Sequence, residues 1–255
     1  MPTQFRFNEL PSSQLELPPG LRSVVLREAG DAFAHATANA ADLGAGTLVF
    51  VGRFDLAEFA IVLEPDEPLR TARRAFYAGM AALGDALATY APPEKPMTFT
   101  WPDAIEVDGG LVGGGRLAWS KGSEDEPPDW LVFGTTIRTV SLAEGEPGVR
   151  PLASTLEDEG FDASDGAVLA ESFARHLMTH VDAWQDKGFG AIAKEYIARL
   201  PRESGISRNI DENGDLLVRR LGKVEVDRHK LVPVLMKPSW LDPKTGGPKT
   251  AGVRR

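Results

Sequence analysis

The stretch Thr98–Arg116, T-F-T-W-P-D-A-I-E-V-D-G-G-L-V-G-G-G-R, constrains the fold more than any other part of the chain. It predicts a strand, a Trp-Pro turn, a second strand, a Gly-Gly hairpin and a third strand loosened by glycine. Strands in such close succession require a sheet. Alternation along Leu111–Trp119 predicts Gly113, Gly115 and Leu117 on one face, with Val112, Gly114, Arg116 and Ala118 on the other. Arg116 is thereby expected opposite Leu111. The glycines read either as a bulge or tight sheet crossing, or as an open groove for a flat small molecule.

Elsewhere helices and strands are mixed without regular alternation. Leu21–Glu28 and the apolar runs Thr47–Val51 and Phe59–Leu63 predict strands, and alanine-rich Asp31–Leu43 predicts a helix ending at Gly44. In Leu69–Tyr90, Phe76, Met80, Leu83 and Leu87 recur at helical spacing to form one apolar face. Trp130–Phe133 and Thr135–Val140 add sheet, and Ala167–Leu200 is helical with a break at Lys187-Gly188. Asn213-Gly214 marks a hairpin, with strand material at Val224, Val226, Leu231 and Val232. No Gly-rich phosphate loop joins a strand to a helix. The expected fold is α+β, a mixed sheet packed on helices followed by a small C-terminal β module. The expected division is an extended lead-in over 1–20, the main domain over 21–200, the β module over 201–241 and a disordered Lys-, Gly- and Pro-rich tail over 242–255.

Composition narrows the function classes. Across 255 residues, 28 Lys plus Arg face 37 Asp plus Glu for a net charge of −9, which argues against nucleic-acid binding. With no cysteine the chain has neither disulfides nor thiolate chemistry. Neither a secretory signal nor a run of about 18–20 apolar residues is present, so the expected setting is cytoplasmic, without a membrane partner.

The central stretch resembles that of the biotin and lipoate protein ligases. Those enzymes carry Lys-Trp-Pro-Asn-Asp there, then a short strand, a turn and a second lysine before a glycine-containing strand. Here Trp101 and Pro102 are kept, Thr100 replaces the first lysine, Asp103-Ala104 replaces Asn-Asp, and Leu111 falls at the second lysine. The likeness extends in element order over about residues 20–235. It implies a fold of that ligase type, with ATP and a small carboxylic acid (biotin, lipoate or a fatty acid) as substrates and a biotinyl or lipoyl carrier domain as partner. The oligomeric state stays open.

The resemblance also points to candidate groove residues: Gly52, Arg53, Trp101, Asp103, Gly113, Gly114, Gly115, Arg116, Gly134 and Arg138. Gly52 and Arg53 stand where biotin ligases have a long Gly-Arg loop, but Gly52–Glu58 is too short to fold over a nucleotide. The ordinary reading of Trp101-Pro102 is packing and turn geometry. That of Arg53, Arg116, Lys121 and Arg138 is solvated surface. His176 and His180, four apart on a helix, lack the intervening carboxylate of a metal motif and read as edge-of-core residues.

Two functions follow. One is ATP-dependent acyl or biotin transfer to a carrier lysine, using a displaced cation such as Arg53 or Arg138. The other is a catalytically inactive ligase-fold module that binds a small acyl or ring-bearing ligand, or a carrier domain. Adenylation concentrates negative charge that placed cations must meet, so Thr100 and Leu111 favour the second. Transfer from an already activated donor also needs a lysine.

Overall fold

The computed structural model describes residues 15–27, 30–141, 152–162 and 165–250. The chain begins with β1 (Arg22–Leu26), followed by the short helices α1 (Ala32–Ala38) and α2 (Ala40–Leu43) and then β2 (Thr47–Gly52) and β3 (Leu56–Leu63). Asp31 caps α1 by accepting from the Ala34 N–H at 2.9 Å. Next come α3 (Leu69–Ala72), α4 (Ala75–Ala88), β4 (Met97–Thr100), β5 (Ala104–Val107), β6 (Gly110–Trp119) and β7 (Leu131–Arg138). The expected helix over Leu69–Tyr90 is thus divided. The division falls at Arg73-Arg74, where Arg73 grips Glu124 and Arg74 grips Glu67. Then α5 (Gly166–Lys187) and α6 (Phe189–Ala198) meet at Gly188, whose φ of 76° ends the first helix at the expected break.

These strands form one seven-stranded sheet in the order β1-β2-β3-β7-β6-β5-β4. Among the described strand pairs only β1 and β2 run parallel, and α1 and α2 make the crossover that a parallel pair needs. The helices α4, α5 and α6 cover one face. There Phe59 and Phe133 meet Phe173 at 5.0 and 5.7 Å between ring centres, and Phe76, Met80 and Leu83 fill the layer beneath. Each such side chain contributes about 1.5–3 kcal/mol on burial. The other face, called outer below, carries Val49, Val51, Ala60 and Val62 under Ala32, Ala36 and Ala40.

The C-terminal part adds a three-stranded antiparallel sheet of β8 (Ile206–Ile210), β9 (Leu216–Arg220) and β10 (Val226–His229). The first hairpin turns around Asn213-Gly214 as expected. Leu231 and Val232 are not strand: they open α7 (Leu231–Leu235). Pro233 explains the difference. It cannot donate to a β-ladder, whereas in a helix's first turn its missing N–H costs no bond.

The segment beyond α7 also departs from expectation. Rather than trailing as a disordered tail from Asp242, the described residues up to 250 return to the outer face of the large sheet. Trp240 is fully buried, the Lys249 N–H donates to the Trp240 carbonyl at 2.7 Å, and Leu241 bridges Pro248. Residues 251–255 lie outside the described set.

Candidate functional site

A β-bulge sets the geometry of the site. Glu106 pairs with Leu111 and Ile105 with Gly113, so β6 carries one residue more than β5 between these pairs. The extra residue reverses the alternation. Val112 joins the helix-side core, while Leu111 packs with Trp240 on the outer face and Arg116 lies against Phe33 of α1. Leu111 and Arg116 therefore share a face, contrary to the expectation from simple strand alternation.

The glycines do not leave an open groove. A side chain on Gly114 would meet the Trp240 indole at 2.5 Å, and one on Gly115 would meet the Met80 sulfur at 2.6 Å. Gly113 abuts the Thr136 carbonyl, and Gly134 lies under the Phe33 ring. Each lets another group of this chain approach the sheet closely.

The C-terminal segment holds this cover with polar bonds. Ser239 donates to Asp103 through both its N–H, at 2.7 Å, and its hydroxyl, at 2.6 Å. The Trp240 indole N–H donates to the Gly115 carbonyl at 3.0 Å, and the Lys249 ammonium to the Ser239 carbonyl. Burial pushes the Asp103 carboxyl up to about 6, outweighing the Ser239 hydrogen bonds that favour its ionised form. Arg138 donates to the Pro248 carbonyl at 2.6 Å.

The remaining candidates are dispersed. Arg53, beside Gly52 at the end of β2, forms a two-point pair with Asp55 at 3.0 and 2.7 Å. The Thr100 hydroxyl donates to Glu106 at 2.9 Å. Trp101, joined to Pro102 by a cis peptide, donates its indole N–H to the Tyr77 hydroxyl at 3.2 Å, and Tyr77 donates to the Gly214 carbonyl. Trp101 thus links the main sheet to the small β module. His180 is more than an edge-of-core residue: its ring bonds Asp85 at 2.7 Å, and Arg199 pairs with the same carboxylate.

Of the cations expected at the surface, Arg116 is buried. Its guanidinium lies 4.4 Å from the Phe33 ring centre and pairs with Asp31 at 3.1 and 3.4 Å. Its Nε finds no partner among the described residues. Glu58 is also buried nearby, accepting from the Ala32 N–H at 2.8 Å, and burial holds its carboxyl above the ordinary range. A cavity of about 460 Å³ opens beside Arg116, bounded by Phe33, Trp119, Leu235, Met236 and Leu241. Sequence reasoning passed over Asp31, Phe33, Ser239 and Trp240. A signal existed for the last two: Trp240-Leu241 is an isolated apolar pair within a segment of Lys, Pro and Gly.

The arrangement is a seven-stranded α+β sheet with a Trp-Pro turn, its outer face covered over Leu111 and Gly114 by the chain itself and open beside Arg116. The sequence profile of the biotin/lipoate A/B protein ligase family matches residues 17–198. The chain belongs to that family. A biotin–[acetyl-CoA-carboxylase] ligase from Paracoccus denitrificans is 26% identical, over 62% of this chain and 72% of the relative. Among solved structures, a biotin protein ligase-like protein of unknown function from Silicibacter sp. tm1040 superposes with a TM-score of 0.71 at 28% identity, covering 86% of this chain and 98% of that one. The apo biotin protein ligase of Aquifex aeolicus has a TM-score of 0.59 at 16% identity, covering 83% and 100%, a likeness of fold.

Proposed function

We propose that this chain is a ligase-family module that binds a small acyl or ring-bearing ligand, or a carrier domain, without forming an adenylate. The observation that carries this reading is Leu111. It stands at the position of the family's second lysine and is buried with Trp240, so an uncharged side chain and an indole occupy the place where charge would have to be met. Thr100, at the first lysine, is bonded to Glu106, and Asp103, at the asparagine, is bonded to Ser239. The residues present do not fit an acyl-adenylate over Gly114.

A second reading, ATP-dependent transfer with a displaced cation, draws on one observation: the bulge places Arg116 on the same face as Leu111. Against it, Arg116 is held by Asp31 and Phe33, and Arg53 by Asp55.

The test is incubation of the purified chain with ATP, a carrier domain and biotin, lipoate or octanoate, alongside an active biotin protein ligase. Mass spectrometry is expected to find neither acyl-adenylate nor added mass on the carrier. Either product would establish the second reading instead.

A further inference from the structure

We propose that Asn213-Gly214, in the turn between β8 and β9, is a site of spontaneous deamidation whose product unhooks the small β-sheet from Trp101. The inference is independent of the reading given for the sheet face under Trp240.

The chemistry needs only water as co-reactant. The Gly214 backbone nitrogen attacks Cγ of Asn213, and the new C–N bond closes a five-membered succinimide. The bond from Cγ to Nδ2 breaks, and the Gly214 amide proton, passed through solvent, leaves with that nitrogen as ammonia. Water then opens the ring. Opening on one side gives aspartate; opening on the other gives isoaspartate, which carries the main chain through the side-chain carbon and lengthens it by one atom. A side chain on the following residue shields the attacking nitrogen, and glycine has none. Of the four asparagines only Asn213 precedes glycine, whereas Asn8, Asn39 and Asn209 precede Glu9, Ala40 and Ile210. Asn213 is exposed.

The native turn restrains the step. The Gly214 N–H donates to the Asp211 carbonyl at 3.0 Å. The Asp211 carboxylate accepts from the N–H groups of Asn213 and Asp215, each at 2.9 Å, and Arg228 pairs with both Asp211 and Asp215. The nitrogen is free to attack only when these bonds open, so the rate follows the local opening equilibrium.

Gly214 also has no room to shift. Its φ of 84° suits glycine, and a side chain there would stand 2.8 Å from that of Leu231. Its carbonyl accepts from the Tyr77 hydroxyl at 2.6 Å, and that hydroxyl accepts from Trp101. One more main-chain atom before Gly214 moves its carbonyl out of line with Tyr77. The new carboxylate also joins Asp211, Glu212 and Asp215 in the same turn, where like charges repel.

The experiment is incubation of the full chain at mildly alkaline pH, native and in urea, followed by mass spectrometry of the tryptic peptide Asn209–Arg219. The peptide is expected to gain the mass of an NH-for-O exchange at Asn213, faster in urea than in the native chain. Asp211→Ala is expected to speed the native reaction about tenfold or more. Arg228→Gln, at a half-exposed side chain, speeds it in the same direction and decides the matter if the Asp211 variant does not fold. Asn213→Ser shows no gain. The isoaspartyl form, separated by ion exchange, is expected to unfold at lower urea than the fresh chain, while Asn213→Asp stays close to it. No gain in the native chain, gain at Asn209 instead, equal native and urea rates, or a rate indifferent to both Asp211→Ala and Arg228→Gln overturns the site. An isoaspartyl form as stable as the fresh chain overturns the unhooking.

Discussion

Trp240 lies against Gly114 so closely that a single methyl group on the glycine would stand 2.5 Å from the indole. The two residues are on separate parts of the chain, one in the central β-hairpin and one beyond the last helix. Their fit closes the surface that the family resemblance marks for ligand.

Replacing Trp240 with alanine removes a fully buried side chain and its bond to Gly115. A loss of about 3–5 kcal/mol is expected, read as a lower urea midpoint at unchanged slope. A loss below about 1 kcal/mol would mean that the C-terminal segment does not hold the face in solution.

Gly114→Ala tests the same contact from the sheet side. The added methyl meets both the indole and the Asp103 carbonyl, and overpacking against backbone is expected to cost about 1–3 kcal/mol. In a Trp240→Ala background the indole clash is gone while that with the Asp103 carbonyl stays, so the double variant should lose less than the sum of the two single losses, by the indole's share. Simple additivity in thermal or urea unfolding would contradict the contact.

Asp103 gives a pH signature. Its folded carboxyl, raised to about 6 by burial, binds protons more tightly than the unfolded one at about 4. Its stabilising contribution is therefore full below pH ~4 and is lost as pH rises through about 6, an increment on the order of 2–3 kcal/mol. Glu58 shifts in the same direction, so the measurement is the difference between wild type and Asp103→Asn. That difference should change between pH 4 and 6 and level off above. A difference constant across this window would remove Asp103 as its source.

Restoring the lysines should not restore a ligase. Leu111→Lys places an ammonium in a fully buried position with Trp240, and Thr100→Lys gives up the bond to Glu106. The double variant is expected to be less stable and to form no adenylate, because the indole still covers Gly114. Adenylate from it would show that the C-terminal cover yields readily.

Asp85 ties three helices together through His180 of α5 and Arg199 just after α6. Asp85→Ala leaves that arginine, 17% exposed, without its carboxylate. A loss of about 2–4 kcal/mol in urea unfolding is expected; a change within 0.5 kcal/mol would class the cluster with weak surface pairs.

Much of the fold was legible because it rests on pattern. The apolar runs at Thr47–Val51 and Phe59–Leu63, the helical spacing of Phe76, Met80, Leu83 and Leu87, and Asn213-Gly214 each carry a local signal. The site was less legible because its determinants are not local. One extra residue in β6 moves Leu111 and Val112 to the faces opposite those expected while the alternation from Gly114 to Leu117 holds, and no spacing rule reveals a bulge without the partner strand. The buried state of Arg116 depends on Phe33, more than eighty residues earlier. Composition misled at Asp242–Thr250, where Lys, Gly and Pro suggest a free tail. Two neighbouring side chains, Ser239 and Trp240, are enough to anchor it.

The cover on the outer face also has a history in time. Trp240 follows the carbonyl it bonds, that of Gly115, by 125 residues. At typical synthesis rates of about 5–20 residues per second, that interval lasts on the order of ten seconds. During it β6 can pair with its neighbours, yet Ala104, Leu111 and the Gly114 backbone still face water. A nascent chain therefore presents for several seconds a surface that the finished protein never shows, open to any small molecule or chaperone that reaches it before residue 240 emerges.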